Sequence, residues 1–247
     1  MKRLLAILMG AVLQVAIPAR AAAEEVILYA YHLKPPFIID REQRTGIYYD
    51  LATYLNERIS GHTFRTVYLP RRRLEHDLEL GKLHGLVVGV NPAWFKDDTR
   101  ARYHWSPPIL RDEDIVVSNK SAPINYDGPE SLVNRRVGLS MGYYYYGVDE
   151  LVSSGRITRD DAVAEDITLD KLFLKRIEAA IVTRRTLDYL ERTRPQWKDQ
   201  FYVAKKPHDE FDRMVLIPHE FAALVPDLNA ALGPIMRDPA WQAMIRH

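Results

Sequence analysis

From residue 26 onward, short runs of apolar and β-branched residues alternate with stretches in which apolar positions recur every three or four residues. The first pattern predicts strands and the second helices. Strands are predicted over 26–31, 63–69 and 86–90, with helices over 50–59 and 74–80 between them. Leu51, Tyr54, Leu55 and Arg58 mark the first helix, and Gly81 stops the second. A second unit follows, with strands over 114–118, 136–140, 162–166 and 179–183, a helical turn over 129–133, and helices over 145–153, 169–175 and 186–193. Strands over 201–204 and 214–217 and helices over 222–236 and 239–245 complete the pattern. Alternating β and α elements imply a parallel or mixed sheet with covering helices. The expected fold class is therefore α/β, in two lobes, each a mixed sheet flanked by helices. Two crossing strands, near 111–114 and 205–212, are expected to join them. The first lobe is expected over 24–113 with 208–247 and the second over 114–207, and the cleft between such lobes is the default place for a ligand.

The stretch 29–51 carries the most local information. Its strand is expected to stop at Pro35-Pro36-Phe37, because proline has a locked φ and no amide donor. In open α/β sheets ligands bind at the carboxyl ends of the strands. Phe37 on a stiff loop there is either a ligand platform or a residue packed beneath the turn, and both readings stay open. Tyr31, just before the turn, is likewise either a cleft residue or a strand-end core tyrosine.

Composition narrows the setting. Lys2 and Arg3, an apolar segment over 4–17, Pro18 and Ala21-Ala22-Ala23 read as a secretory signal peptide over 1–23. The apolar segment is short of the ~20 residues needed to span a bilayer. Without cysteine, thiol catalysis, disulfides, cysteine-ligated zinc and a lipid-acceptor cysteine all drop out. The expected compartment is a Gram-negative periplasm, with no membrane insertion after cleavage. Removing the leader takes away three of the 34 basic residues and none of the 33 acidic ones, which leaves a net charge of −2. A near-neutral chain gives no electrostatic argument for nucleic acid or anionic membranes.

The motifs then fall into an order that resembles bacterial extracellular solute-binding proteins of family 3, the type II periplasmic binding proteins. Carrying the resemblance are Pro35-Pro36-Phe37 with Gly46 and Asp50-Leu51-Ala52, Leu69-Pro70, Leu80-Gly81-Lys82-Leu83 with Gly89, and Trp105-Ser106-Pro107-Pro108. Ser131-Leu132 with Arg136-Val137-Gly138 and Gly142, and the run over 177–182, continue it. The resemblance covers essentially all of the chain after the leader. It implies a small-molecule ligand held between closing lobes, delivery to an ABC permease, and no catalytic residues. No cofactor is expected, and the chain is expected to act as a monomer.

Departures from the family pattern shape the candidate site. The family's carboxylate-clamping arginine aligns with Thr99, with Arg100 one place away and an insertion around 92–96. The family's ammonium-pairing aspartate aligns with Thr183, followed by Arg184, which argues against a standard α-amino acid, since a desolvated charge left unpaired is costly. A cleft that is aromatic and basic is expected instead, suited to a small polar ligand that is anionic or aromatic.

The candidate ligand-binding residues are Tyr31, Phe37, Arg71, Asn91, Arg100, Gly142, Tyr143, Tyr144 and Thr183. Arg71 leads the triplet of arginines at 71–73 and can hold an anionic group with its forked donors, the other two being solvated. Arg100 or Arg102 is either a carboxylate clamp or part of a surface cluster with Asp97 and Asp98. Amides from Gly142 to Tyr144 are expected to point at a bound group if Tyr145 opens a helix. Tyrosines over 143–146 would add apolar area and hydroxyl donors, or pack against the lobe core. Trp94 and Trp105 either wall the cleft or pack in the core. His208 with Asp209 and Glu210 reads as a solvated loop and not a metal site.

Two other classes stay open. Cyclohexadienyl dehydratases resemble these binding proteins and need a general acid over the substrate; Glu178 occupies a position that is normally structural. A soluble sensor or interaction protein is equally compatible with the pattern. Nucleophile-elbow, zincin, Walker and dinucleotide motifs are absent.

Overall fold

The computed structural model describes residues 23–246, so the leader expected over 1–23 lies outside the described residues except for Ala23. In chain order the elements are β1 (Glu24–Ala30), α1 (Ile47–Asn56), β2 (His62–Tyr68), α2 (Arg71–Glu79), β3 (Leu86–Val90), β4 (His104–Trp105), β5 (Leu110–Asn119), β6 (Arg136–Ser140) and α3 (Val148–Ser153). They continue with β7 (Thr158–Ala162), α4 (Glu165–Phe173), β8 (Ala179–Thr183), α5 (Arg184–Thr193), β9 (Phe201–Val203), β10 (Asp209–Ile217), α6 (Val225–Leu232) and α7 (Pro239–Met244). The main sheet path runs β2-β1-β3-β10-β5-β8-β6-β7, with β4 pairing β10 and β9 pairing β5. Parallel pairs lie at both ends of this path and antiparallel pairs at its middle.

The two lobes meet where β5 and β10 lie side by side. Asp209 to Arg213 pair antiparallel with Leu110 to Asp114. One residue further on, β10 pairs with β3, through Met214 and Val90, with a register shift between Met214 and Val215. Each half of the sheet is covered on both faces. In the first lobe one apolar cluster joins Leu28, Leu51, Tyr54 and Trp241, and another joins Leu74, Val87, Phe95 and Trp105. In the second, Val137, Leu139 and Val148 pack on one face and Leu172, Leu187 and Trp197 on the other. The fully buried strands β3 and β8 need no alternation, and their all-apolar or small-residue sequences show none.

Arg213 sits at the partner change, 1% exposed. Its Nε donates to Asp112 Oδ2 at 2.8 Å and its Nη1 to the Gly89 carbonyl at 2.9 Å. Nη1 also donates to His32 Nε2 at 3.2 Å, which leaves the His32 Nδ1–H to donate to Tyr48 Oη at 3.2 Å. Burial, reinforced by the Arg213 charge, holds the His32 pKa well below its ordinary value, so the ring is neutral and able to accept. Gly89 has φ +75°, and an added Cβ would lie 1.9 Å from Tyr48 Oη, so only glycine lets the strand carry this contact.

Several boundaries differ from the sequence pattern for identifiable reasons. Helix α1 begins at Ile47 and not at Asp50, because the Pro36 and Phe37 carbonyls accept the Ile47 and Tyr48 amides and take the place of an aspartate cap. The arginines at 71–73 form the first turn of α2 instead of preceding it. The strand expected over 162–166 is β7 at Thr158–Ala162, a polar edge strand whose charged sequence hides the pattern, and Asp166 lies in the first turn of α4. The tyrosines at 145 and 146 belong to a turn, with α3 starting only at Val148 after the left-handed Gly147. The helix expected over 222–236 is broken into a 3₁₀ stretch over His219–Leu224, then α6, then a 3₁₀ turn over Ile235–Arg237 behind Pro234.

Removing Asp112 would leave a buried guanidinium without its countercharge. Asp112→Ala is expected to lower unfolding free energy by about 3–5 kcal/mol. The double variant Asp112→Ala, Arg213→Met should recover part of that loss because no unpaired charge remains. Urea unfolding of both variants checks the difference; equal losses would remove the ion pair as the cause.

Candidate functional site

Between the lobes lies a cleft of 1190 Å³. The first lobe contributes Tyr31 after β1, Arg71 at the start of α2, the turn Asn91–Trp94 after β3, and Phe211 and Arg213 from β10. The second lobe contributes Asp114 on β5 and the tyrosine turn over 143–146. Trp94 and Phe211 meet edge to face with centroids 4.8 Å apart, and both lean on the Arg213 guanidinium, at 5.6 and 5.0 Å. Asn91 Oδ1 accepts the Trp94 amide at 3.1 Å and so fixes the turn that presents the indole.

Arg71 is held on three sides. Its Nε donates to Glu75 Oε1 at 2.8 Å, the i,i+4 pairing that one helical turn permits. Its guanidinium carbon lies 5.3 Å from the Tyr31 ring centroid and 5.1 Å from that of Tyr143. No described residue hydrogen-bonds its terminal nitrogens. The Tyr31 hydroxyl, in a residue 4% exposed, is also without a partner among the described residues. A buried hydroxyl and a fixed guanidinium fork thus stand together at the cleft wall with unused donors, an arrangement suited to a carboxylate.

Deeper in, Lys34 crosses from the loop after β1 to the second lobe. Its Nζ donates to Glu165 Oε1 at 2.5 Å and to Thr183 Oγ1. Glu165 Oε2 in turn accepts the Thr183 amide at 3.0 Å, and Thr183 Oγ1 lies 3.2 Å from Asp114 Oδ1. Burial, with the Glu165 carboxylate nearby, pushes the Asp114 pKa up to about 6 despite the opposing pull of Lys34.

The sequence-derived residues divide into those the cleft uses and those it does not. Tyr31, Arg71, Asn91, Arg100, Tyr143 and Tyr144 line it. Arg100 is at its rim, on an exposed turn with φ +54°, and no described residue pairs with its guanidinium. Asp97 does not pair with it; that carboxylate is buried and accepts the Arg102 and Tyr103 amides and the Trp105 indole N–H. Trp105 is therefore a core residue. Tyr144 is largely exposed, and its hydroxyl donates to Glu150.

Phe37 does not line the cleft. The ring is fully buried against Tyr48, under the Arg213 guanidinium at 4.2 Å, because the proline turn folds inward over the first-lobe core. Gly142 is exposed and outside the cleft, the helix expected to open at Tyr145 starts only at Val148, and of the amides from Gly142 to Tyr144 that of Tyr143 donates to the Ser140 carbonyl. Thr183 is completely buried behind Lys34. Glu178 lies at the surface with Arg135, far from any role as a general acid in the cleft. Lys34, His32 and Glu165 were invisible to pattern reading; Glu165 sat inside a misassigned strand, and a lysine before two prolines carries no signal of its own.

The Asp114 carboxyl gives a pH dependence with a definite sign. Its folded pKa is raised, so its contribution to stability is present below the ordinary aspartate pKa of about 4 and is lost as pH rises through about 6. Asp114→Asn is accordingly expected to be more stable than the parent at neutral pH, with the gap closing towards pH ~4. Urea midpoints of the two proteins across that range check it; a gap that widens on acidification contradicts the assignment.

No protein-family model matches the chain, nor does any curated protein. Solved structures do. A mutant of the arginine-binding protein of T. maritima superposes with a TM-score of 0.69 at 16% identity, covering 90% of this chain and 93% of its own. The substrate-binding protein of an amino acid ABC transporter gives 0.66 at 13% identity, covering 90% and 97%. The GluR0 ligand-binding core from Nostoc punctiforme, in complex with L-glutamate, gives 0.70 at 13% identity, covering 89% and 96%. Across nearly its whole described length, this chain has the two-lobe fold of these binding proteins, as the resemblance to family 3 solute-binding proteins implies.

Proposed function

We propose that the chain is an exported, periplasmic solute-binding protein that captures a small carboxylate with a planar, apolar part, by closure of a first lobe (24–113 with 208–247) on a second (114–207). The observation that carries this reading is the Arg71 fork: pinned by Glu75, placed between the rings of Tyr31 and Tyr143, and, among the described residues, left with free terminal nitrogens beside the unpartnered Tyr31 hydroxyl. Trp94 and Phe211 supply a flat apolar wall, and Arg100 a second cation at the rim. Two-lobe proteins of this kind bind by hinge closure, and β5 with β10 forms the natural hinge here. Delivery to an ABC permease is supported by the likeness to a transporter's substrate-binding protein. The leader over 1–23 supports export, and among the described residues no helix is long and apolar enough to cross a membrane.

The test is a thermal-shift panel on the chain without its leader, spanning aromatic and aliphatic carboxylates, amino acids including arginine and glutamate, prephenate, sugars and short peptides. A ligand at ~100 times its Kd adds ~2.7 kcal/mol of stability, which is several degrees. Stabilisation by aromatic carboxylates is expected. Arg71→Met should then weaken the best of them about 10- to 100-fold in calorimetry, the cost of a charge-assisted hydrogen bond of ~1.5–3 kcal/mol. Trp94→Ala should cost a further ~1 kcal/mol. Stabilisation by sugars alone, or binding that ignores Arg71, contradicts the reading.

A further inference from the structure

Lys34 stands out among the buried charges because it belongs to one lobe and the hydrogen-bond partners of its ammonium belong to the other. Its residue is 7% exposed, and Glu165 and Thr183, which receive it, are 2% and 0% exposed. The receiving niche is built by three elements of the second lobe: Glu165 opens α4, Thr183 ends β8, and Asp114 faces Thr183 across the β5–β8 ladder. Glu165 binds the niche together, taking the Thr183 amide on Oε2 while Oε1 receives the ammonium. Two rings close the remaining sides, Phe37 at 5.9 Å and Tyr143 at 5.8 Å from Nζ. Oxygen acceptors on one side and ring faces on the other are what a primary ammonium requires.

Resting on the reading of the cleft as a carboxylate site, we infer that this niche is an ammonium-binding subsite which the chain fills with its own Lys34, so that the cleft selects carboxylates lacking a free ammonium group. Tyr143 stands between the Arg71 fork and the niche, with Arg71 5.1 Å and Lys34 5.8 Å from its centroid. A ligand anchored on Arg71 therefore lies one ring away from the cation it would need to displace. An α-amino acid placed there brings a second ammonium towards a set of oxygens already saturated, and like charges at that range repel strongly. Deaminated acids meet no such penalty. The lysine has a second consequence: it ties the lobes across the cleft without a ligand's help, so the closed arrangement is favoured by the chain's own charge pair.

Lys34→Ala tests this directly. In the variant, tens of millimolar methylammonium should raise the melting temperature by several degrees beyond sodium chloride at equal ionic strength, while tetramethylammonium, with no donor, should not. The parent protein should respond to neither. The variant should also gain about tenfold or more in affinity for an α-amino acid relative to its deaminated counterpart, compared with the parent. Absence of methylammonium rescue, or equal rescue by tetramethylammonium, overturns the inference. If Lys34→Ala does not fold, nitrogen NMR of the parent's lysine ammonium groups at neutral pH decides: a slowly exchanging resonance that disappears in Glu165→Gln supports the niche, and its absence overturns it. Rescue without any carboxylate binding to the parent would retain the niche and remove the carboxylate reading. Carboxylate binding without rescue would do the reverse.

Discussion

A single buried guanidinium organises the centre of this protein. Arg213 lies at the residue where β10 leaves β5 and joins β3, and its donors are shared among Asp112 on β5, the Gly89 carbonyl on β3 and His32 on the loop after β1. Three segments distant in sequence are thereby fixed to one side chain. The same group carries Phe37 on one face and Trp94 and Phe211 on its others. The aromatic cleft wall is thus mounted on the interaction that holds the hinge strands together. Such a charge is tolerable inside a protein only when it has a counterion and hydrogen bonds, and here a neutral histidine and the carbonyl of a side-chain-free glycine add to the pairing with Asp112.

The cleft is charged in a way that composition conceals. A near-zero net charge hides cations that are individually paired at the site: Arg71 with Glu75, Arg213 with Asp112, Lys34 with Glu165. What distinguishes these pairs is how much donor capacity each leaves. Arg213 is engaged through Nε and Nη1, Lys34 is engaged across the lobes, and the terminal nitrogens of Arg71 meet no hydrogen-bond partner among the described residues. Exposed pairs such as Arg65 with Glu25 are ordinary surface contacts and contribute little.

Much of the architecture was legible in the chain because β1 from Val26 onward, β3 and β8 are runs of apolar or small residues and the helices between them are amphipathic. Element ends were less legible, since they depend on caps supplied from elsewhere, as the Pro36 and Phe37 carbonyls do for α1. In the site, Arg71 and Tyr143 could be picked out by their place after a turn. Phe37 could not be judged correctly, because the same proline turn that presents a ring outward also folds one inward. The loss of an aspartate at Thr183 argued for an absent anion, yet a glutamate arrives from the start of α4 and stands beside that threonine. Sequence spacing carries no information about which carboxylate reaches a niche through space.

The route of the chain through its sheet also sets an order of assembly. The second lobe is one uninterrupted segment, and β5 to β9 can pair as they appear. The first lobe is split: β1, β2 and β3 come early, but the strand that covers the open edge of β3 is β10, which follows the whole of the second lobe. Until β10 is made, Asp112 lacks Arg213 and the wall of the cleft has nothing to rest on. Long-range pairing of this kind is slow to form. The half of the sheet that begins the chain is thus the half whose pairing is completed last, because its closing strand is the last in the sequence.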